Sequence, residues 1–300
     1  MSKVRTNLTP GTAEAYEVAG TWVQDVAGLV SPPDVCIKIF DIIDSPGTTS
    51  KDIGQIISQD PNLTAQLLRL VNSPAFFPGK KVDTISRAVT IVGIHELYSL
   101  IIAVSAVKTF HNIPKNIVNI DTFWRHSLYT GLICRILSQR CNVLHPERLF
   151  VAGLLHDIGN MVIYNRIPEI ARDLLQQSKG NEDTLYRAEM KSLGFTHADL
   201  GYLLLKRWNL PDTLREAVRW HHEPAKAPDT APIEACLLHI GNALANRSEI
   251  GGFIEFTQGN DQIDPCVWST LHINEQAFDA EGVIGEAGQL FAATASLFNI

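Results

Sequence analysis

Paired thiols, membrane-length apolar runs, an excess of positive charge and strand-type alternation are all missing from this sequence of 300 residues. Its five cysteines, Cys36, Cys134, Cys141, Cys236 and Cys266, are odd in number and scattered, with no C-x-x-C pair. A disulfide framework is thereby excluded, and a reducing compartment is expected. The longest strongly apolar run, Leu97 to Val107 between Glu96 and Lys108, falls well short of the ~20 residues that span a bilayer and reads as a buried helix. No apolar stretch in Met1 to Pro10 could serve as a signal-peptide core, so the expected location is cytoplasmic, with no membrane partner. Lys and Arg number 25 against 32 Asp and Glu, a net charge of -7, which removes the global electrostatic support for nucleic-acid binding. What remains is a chain of ordinary globular composition, 45% hydrophobic, long enough to bury a core without staples.

Helical periodicity dominates, apart from ambiguous short runs such as Val35 to Ile39, and the expected fold class is all-α, a helical bundle with an N-terminal helical layer. Residues 1–20 read as a mobile N-terminal segment, 21–111 as the N-terminal helical layer, about 112–119 as a linker, 120–247 as a second helical unit and 248–300 as a partly helical C-terminal extension. Within the first layer a helix through Trp22 to Leu29 is expected to end near Pro32-Pro33, and the next to open at Pro33 and run to about Ile43. Thr49 or Ser50 can cap a short helix through Ile53, Ile56 and Ile57, and Asp60-Pro61 supplies an N-cap and first-turn proline for Leu63 to Val71. A helix-turn-helix reading of that pair finds only Arg69 as a cation on its second helix, so packing within a bundle is favoured. Phe76 to Gly79 reads as a loop, Ile85 to Val92 as a helix ending near Gly93, and Ala277 to Phe298 as resumed helix after the Gly-rich stretch at Gly251, Gly252 and Gly259. Leu63, Leu67, Leu70, Ile85, Val89 and Val92 are expected to face the second unit.

Residues that can ligate a metal or move a proton gather beyond Asp121. His126 shares a stripe with Thr130, Ile133 and Leu137; His156 and Asp157 leave an apolar helix about 100° apart; His197 follows Thr196, which can cap its helix with Asp199 reaching back. His221 ends the stripe Leu214, Ala217, Val218 and is joined by His222 before Pro224. Four helices thus deliver imidazole to the bundle interior, and a buried Asp157 needs a cation or strong donors. Imidazoles with one carboxylate and no thiolate suit iron, manganese, zinc or nickel, while core histidines bonded to one another and to Asp157 remain the alternative. Trp124, Trp208 and Trp220 read as packing, and Lys206, Arg207 and Arg219 as solvated surface.

His126, Gly153-Leu154-Leu155-His156-Asp157-Ile158-Gly159, His197 and His221-His222 resemble the ligand series of the HD superfamily as arranged in HD-GYP phosphodiesterases. Upstream, Asp60-Pro61-Asn62-Leu63-Thr64, Leu67 to Ser73, Ile85-Ser86-Arg87-Ala88-Val89 and Val92-Gly93 are similar to the HDOD family, the HD-related output domain of bacterial signalling proteins. The resemblance implies an all-helical regulatory module, without established catalysis, acting through signalling proteins or a ligand at a degenerate HD site. Its alternative is a metal-dependent phosphohydrolase acting on a nucleotide or cyclic nucleotide. Three departures argue against catalysis: Pro224-Ala225-Lys226 replaces the Gly-Tyr-Pro signature, Asn160 stands in place of a lysine, and Asn242 in place of the final metal-binding Asp. His239, one turn before Asn242, is expected to compensate in part.

Overall fold

The structure is a computed structural model that describes residues 8–27, 34–43, 45–76, 81–110, 117–252, 262–298 and 300. The expectations placed on Pro32-Pro33, on Phe77 to Gly79, on the greater part of the linker and on Gly259 lie outside these residues. Among the described residues every regular element is a helix, and no single helix is long and apolar enough to cross a membrane.

The N-terminal layer consists of α1 (Ala13–Ala27), α2 (Asp34–Ile43), α3 (Ser50–Ile57), α4 (Pro61–Val71), α5 (Ile85–Val92) and α6 (Ile94–Thr109). Local chemistry sets several of its boundaries. Thr49 and Asp52 form a reciprocal capping box at the start of α3. Asp60 accepts from the Leu63 amide ahead of the first-turn Pro61 in α4, and Thr84 accepts from the Arg87 amide at α5. The ambiguous run Val35 to Ile39 is helical within α2, because its apolar side chains Val35, Cys36, Ile39 and Ile43 form one buried stripe. From Glu96 to Val107 every residue of α6 is buried, as expected of a helix central to the layer.

Residues 8–20 depart from the mobile segment expected of them. Leu8, Ala15 and Ala19 are buried with Trp22, Val23 and Val26, a stripe at helical spacing that starts well before Trp22. Small alanines carry its first turns, so a helix-long apolar face looks like a polar leader in the sequence. This face lies against the second unit, where Trp22 meets Phe195 edge-on at 5.0 Å.

That second unit runs through α7 (Ile120–Arg140), α8 (Pro146–Leu155), α9 (Ile158–Arg166), α10 (Pro168–Ser178), α11 (Glu182–Leu193), α12 (His197–Arg207), α13 (Asp212–Trp220) and α14 (Pro232–Arg247). α15 (Cys266–Thr270) and α16 (Ala280–Thr294) complete the chain. α7 packs on α8 and α14, α12 crosses α9 and α13, and α1 lies over α12 and α9. The two layers meet where α1 lies over α12 and α9 and where α6 packs on α8. Leu63, Leu67, Leu70, Ile85 and Val89 are buried, but α4 and α5 pack on each other and on α6 rather than directly on the histidine-bearing helices. The apolar face of α6 is continuous around the helix and fills the place expected of them. Polar ties supplement it: Arg135 donates to the Phe76 carbonyl at 2.9 Å, the Tyr98 hydroxyl to Trp208 O at 3.0 Å and Arg148 to Glu96 Oε1 at 2.9 Å, while Gln66 donates to Leu297 O at 2.9 Å and fastens that end of the chain to α4.

Candidate metal centre

His126 projects from the second turn of α7, 0% exposed, as its stripe requires. The pair His156-Asp157 does not continue a helix. α8 ends at Leu155 and α9 begins at Ile158, so the pair forms the corner between them. His221-His222 likewise follows the end of α13 at Trp220, ahead of the point where Pro224 would stop it. The two corners use one device: His156 Nδ1 bonds Gly153 O at 2.8 Å, and His221 Nδ1 bonds Val218 O at 2.7 Å, each satisfying a carbonyl left free at a helix C-terminus. A carbonyl only accepts, so both Nδ1 atoms donate and both neutral rings present an Nε2 lone pair away from their helix.

The other rings are fixed in the same sense. His126 Nδ1 donates to Gly251 O at 2.6 Å and His197 Nδ1 to Glu189 Oε2 at 2.7 Å, while His222 Nδ1 faces Asp183 Oδ1 at 3.7 Å. Thr196 and Asp199 form the anticipated capping box at α12, and the His197 amide donates to Glu189 Oε2 at 2.8 Å. Five Nε2 atoms therefore converge. His126 Nε2 stands 3.3 Å from His156 Nε2, and His197 Nε2 stands 3.1 Å from His222 Nε2. Asp157 lies between the two pairs, Oδ2 at 3.4 Å from His156 Nε2 and Oδ1 at 3.3 Å from His197 Nε2 and 3.9 Å from His221 Nε2. Facing lone pairs repel, and His221 Nε2 accepts no hydrogen bond, so this arrangement calls for positive charge in its middle. Within this cluster two groups have ligand atoms close enough to share an ion: Asp157 with His197, His221 and His222, and Asp157 with His126 and His156. Inner imidazole nitrogens backed by fixed outer partners are the arrangement a metal site needs, and the residues fit a divalent metal.

Without a metal, one proton partly answers that need. Burial opposes charge on His197, but Glu189 and Asp157 outweigh it and hold its pKa well above the usual imidazole value. Burial also opposes charge on Asp157, yet His156, His197 and His221 hold its carboxyl well below the usual range. For His156 burial prevails and lowers the pKa; His221 is driven lower still by burial with His222 and His156 alongside. These directions fix the pH response of the metal-free protein. Below about pH 6.5 the unfolded chain protonates His156 and His221 while the folded chain resists, so stability falls with pH until their lowered pKa values are passed. Above about pH 6.5 the folded chain keeps the His197 proton that the unfolded chain loses, and stability falls until that raised pKa is passed. Urea midpoints of chelated protein are expected to peak near pH 6.5; a midpoint flat from pH 5.5 to 8 would contradict the assignment.

His239 and Asn242 occupy other roles. His239 Nδ1 donates to His221 O at 2.7 Å and its Nε2 accepts from the Asp264 amide at 2.9 Å, which occupies both ring nitrogens and corrects the expected compensation. Asn242 donates to Glu182 Oε2 at 2.6 Å. Asn160 is buried behind the corner with its Oδ1 unpartnered. Arg219 is no solvated cation: it donates to Tyr16 Oη at 2.8 Å and lies 3.3 Å from Asp199, tying α13 to α1 and α12. Sequence reasoning missed the buried acids Glu182 and Glu189. Glu182, Leu185, Glu189 and Leu193 form the one buried face of α11, and carboxylates on that face were the available signal.

The model of the HDOD domain family matches residues 29–224. An uncharacterised protein of Treponema pallidum (strain Nichols) is 30% identical over 201 residues, 66% of this chain, and this chain spans 38% of that protein's length. Among solved structures, an HDOD domain protein of unknown function from Geobacter sulfurreducens shares the fold with a TM-score of 0.69 at 24% identity, covering 95% of this chain and 99% of that one. A protein from Shewanella amazonensis, described provisionally as a phosphohydrolase, superposes with a TM-score of 0.67 at 24% identity over 92% of this chain and 96% of that one. One from Marinobacter aquaeolei, described provisionally as a signal transduction protein, gives 0.66 at 19% identity over 95% and 63%. A family match over more than half the chain, upon an all-helical fold with the HD-type histidines gathered around one aspartate, has one consequence: the chain belongs to the HDOD family.

Proposed function

We propose that this chain is a signalling module that holds divalent metal at its HD-type centre and acts through a partner protein or a small ligand, without hydrolysing phosphoesters. The observation that carries the metal reading is the set of Nε2 atoms fixed around Asp157 by outer hydrogen bonds. His197, His221 and His222 would hold an ion on one side of Asp157, and His126 and His156 on the other. Such a nitrogen and carboxylate donor set suits iron, manganese, zinc or nickel. A bound divalent metal would supply Lewis acidity and a lowered pKa for its water.

Charge in the adjoining cavity supports the non-hydrolytic part of the reading. The cavity, about 510 Å³, is bordered by His222 and by Asp183, Glu223 and Asp264 against Arg187 and Lys226. Lys226 is already paired with Glu223 at 2.6 Å, and Asp183 sits beside Arg187 and His222, which leaves little cationic capacity for a phosphate. A phosphohydrolase is the second reading, favoured by one feature: His222 belongs to both the cluster and the cavity wall, so a molecule in the cavity reaches the centre.

Elemental analysis of untagged protein purified without chelator is expected to find iron, manganese, zinc or nickel, and His156→Ala to lose it. Loaded with iron or manganese, the protein is expected to leave cyclic di-GMP intact. Turnover at about 1 per second or faster, the range of ordinary enzymes, would establish the second reading. Protein that neither carries nor takes up metal would overturn both.

A further inference from the structure

The position at which the HD-type series lacks a carboxylate is in direct contact with one from another helix. Asn242 lies on α14, 6% exposed, and its Nδ2 donates to Glu182 Oε2 at 2.6 Å; its Oδ1 accepts from Asn246 Nδ2 at 3.4 Å. Glu182 opens α11, a helix that carries none of the clustered histidines, and is 7% exposed. Its Oε1 accepts no hydrogen bond and stands 3.8 Å from His126 Nε2.

A carboxylate oxygen stripped of water without a donor is costly, and a cation relieves that cost. The 3.8 Å separation of Glu182 Oε1 from His126 Nε2 is also within the reach of one. Metal bonds of about 2.0–2.2 Å to nitrogen and oxygen allow two ligands of the same ion to lie up to ~4.2 Å apart. An aspartate at 242 would set a second carboxylate against Glu182 at contact distance, and two such groups cannot both stay ionised. An asparagine there instead donates to the outer oxygen of Glu182 and leaves the inner one facing the imidazole.

We propose that Glu182 is a metal ligand on the His126 and His156 side of Asp157, supplying the carboxylate absent at position 242, and that Asn242 is a positioning residue that holds it. This assignment rests on the metal-binding reading above. Its consequence for the fold is that the centre closes only with α11 docked, because the last ligand comes from outside the helices that bear histidine.

The test is a cobalt(II) titration of the full, chelator-stripped chain, read by visible absorption and by bound cobalt after gel filtration, with near-ultraviolet circular dichroism to confirm native packing. Wild-type protein is expected to bind two ions, and His126→Ala identifies which of them lies on its side. Glu182→Gln keeps shape and removes charge; it is expected to weaken that ion about 100-fold and leave the other unchanged. Asn242→Leu keeps the carboxylate and removes its holder, with an expected weakening of ~10-fold for the same ion, as for other outer partners of metal ligands. Two unaltered affinities in Glu182→Gln would overturn the assignment while leaving the metal reading intact, as would equal weakening of both ions. A wild-type chain that binds no cobalt would instead bring down the metal reading and this assignment with it.

Discussion

Replacing Asp157 by alanine is expected to empty both halves of the centre at once, raising the dissociation constant of each bound ion more than about 100-fold. The reasoning is geometric. Every ligand pair lies on one side or the other of this carboxylate, whose two oxygens face different imidazoles: Oδ2 faces His156, while Oδ1 faces His197 and His221. Removing any one histidine takes a donor from one ion, but removing Asp157 takes the shared anion from both. Losing an outer hydrogen bond to a metal ligand already costs ~10–100-fold, so loss of an inner one exceeds that range. His222→Ala provides the contrast, with weakening confined to the ion beside His197 and His221. The metal-free protein should also suffer, because Asp157 is one of two carboxylates that stabilise the imidazolium of His197. Breaking a buried pair by deleting one partner costs about 3–5 kcal/mol; the retained contact to Glu189 places this case near the lower bound. Asp157→Asn, which preserves volume, separates charge from packing. Equilibrium dialysis with elemental analysis measures the first effect and urea denaturation of chelated protein the second. Retention of either ion at wild-type affinity in Asp157→Ala would show that the carboxylate is not shared.

Much of this centre could be read from the sequence, because the part that depends on helical repeat is local. His126 lies on a stripe, Thr196 and Asp199 cap α12, and the buried run Leu97 to Val107 lies within α6. Caps and first-turn prolines likewise placed α3 and α4. What periodicity misplaced is where helices stop inside an apolar run. Leu154 to Gly159 has no proline to mark a corner, and the break at His156-Asp157 is stabilised by the His156 ring itself bonding back to Gly153. What escaped altogether is nonlocal. The Gly251 carbonyl that orients His126 belongs to the C-terminal extension, which carries no chemistry of its own in sequence. A side chain there would collide with Tyr129, at 2.5 Å, so the glycine is explained only once the chain is folded. Glu182 and Glu189 were passed over for a different reason: on an otherwise polar helix, acids read as the solvated face, and only the shared spacing with Leu185 and Leu193 reveals that they point inward.

Gly159→Ala is expected to destabilise the protein by about 3 kcal/mol or more and to disorder the centre without touching a ligand. A methyl group at this position would lie 1.9 Å from His197 O, 2.7 Å from Gly201 N and 2.8 Å from His197 C. All three are backbone atoms of α12, so no side-chain rotation relieves the contact; α9 and α12 must part. That crossing is what sets Asp157, two residues before Gly159, against His197, two residues after the start of the Phe195-Thr196 turn, with Asp157 Oδ1 3.3 Å from His197 Nε2. Separating two packed backbones by an ångström or more forfeits that contact and the dispersion around it, the large end of the range for overpacking a core. Gly201 on the facing helix has Val218 Cγ1 as its tightest neighbour, at 3.0 Å, so an added methyl there meets a side chain that can shift and should cost less. Gly285 in α16 has open space around its Cβ position, and alanine there should be neutral or stabilising by up to about 1 kcal/mol, through helix propensity alone. The three variants thus rank a backbone collision, a soft contact and none. Urea midpoints would measure the ranking, and cobalt affinity would show whether the ligands on either side of the crossing separate with it. A Gly159→Ala protein within 0.5 kcal/mol of wild type, on the ~1 kcal/mol scale of ordinary substitutions, would mean that α9 and α12 do not meet backbone to backbone.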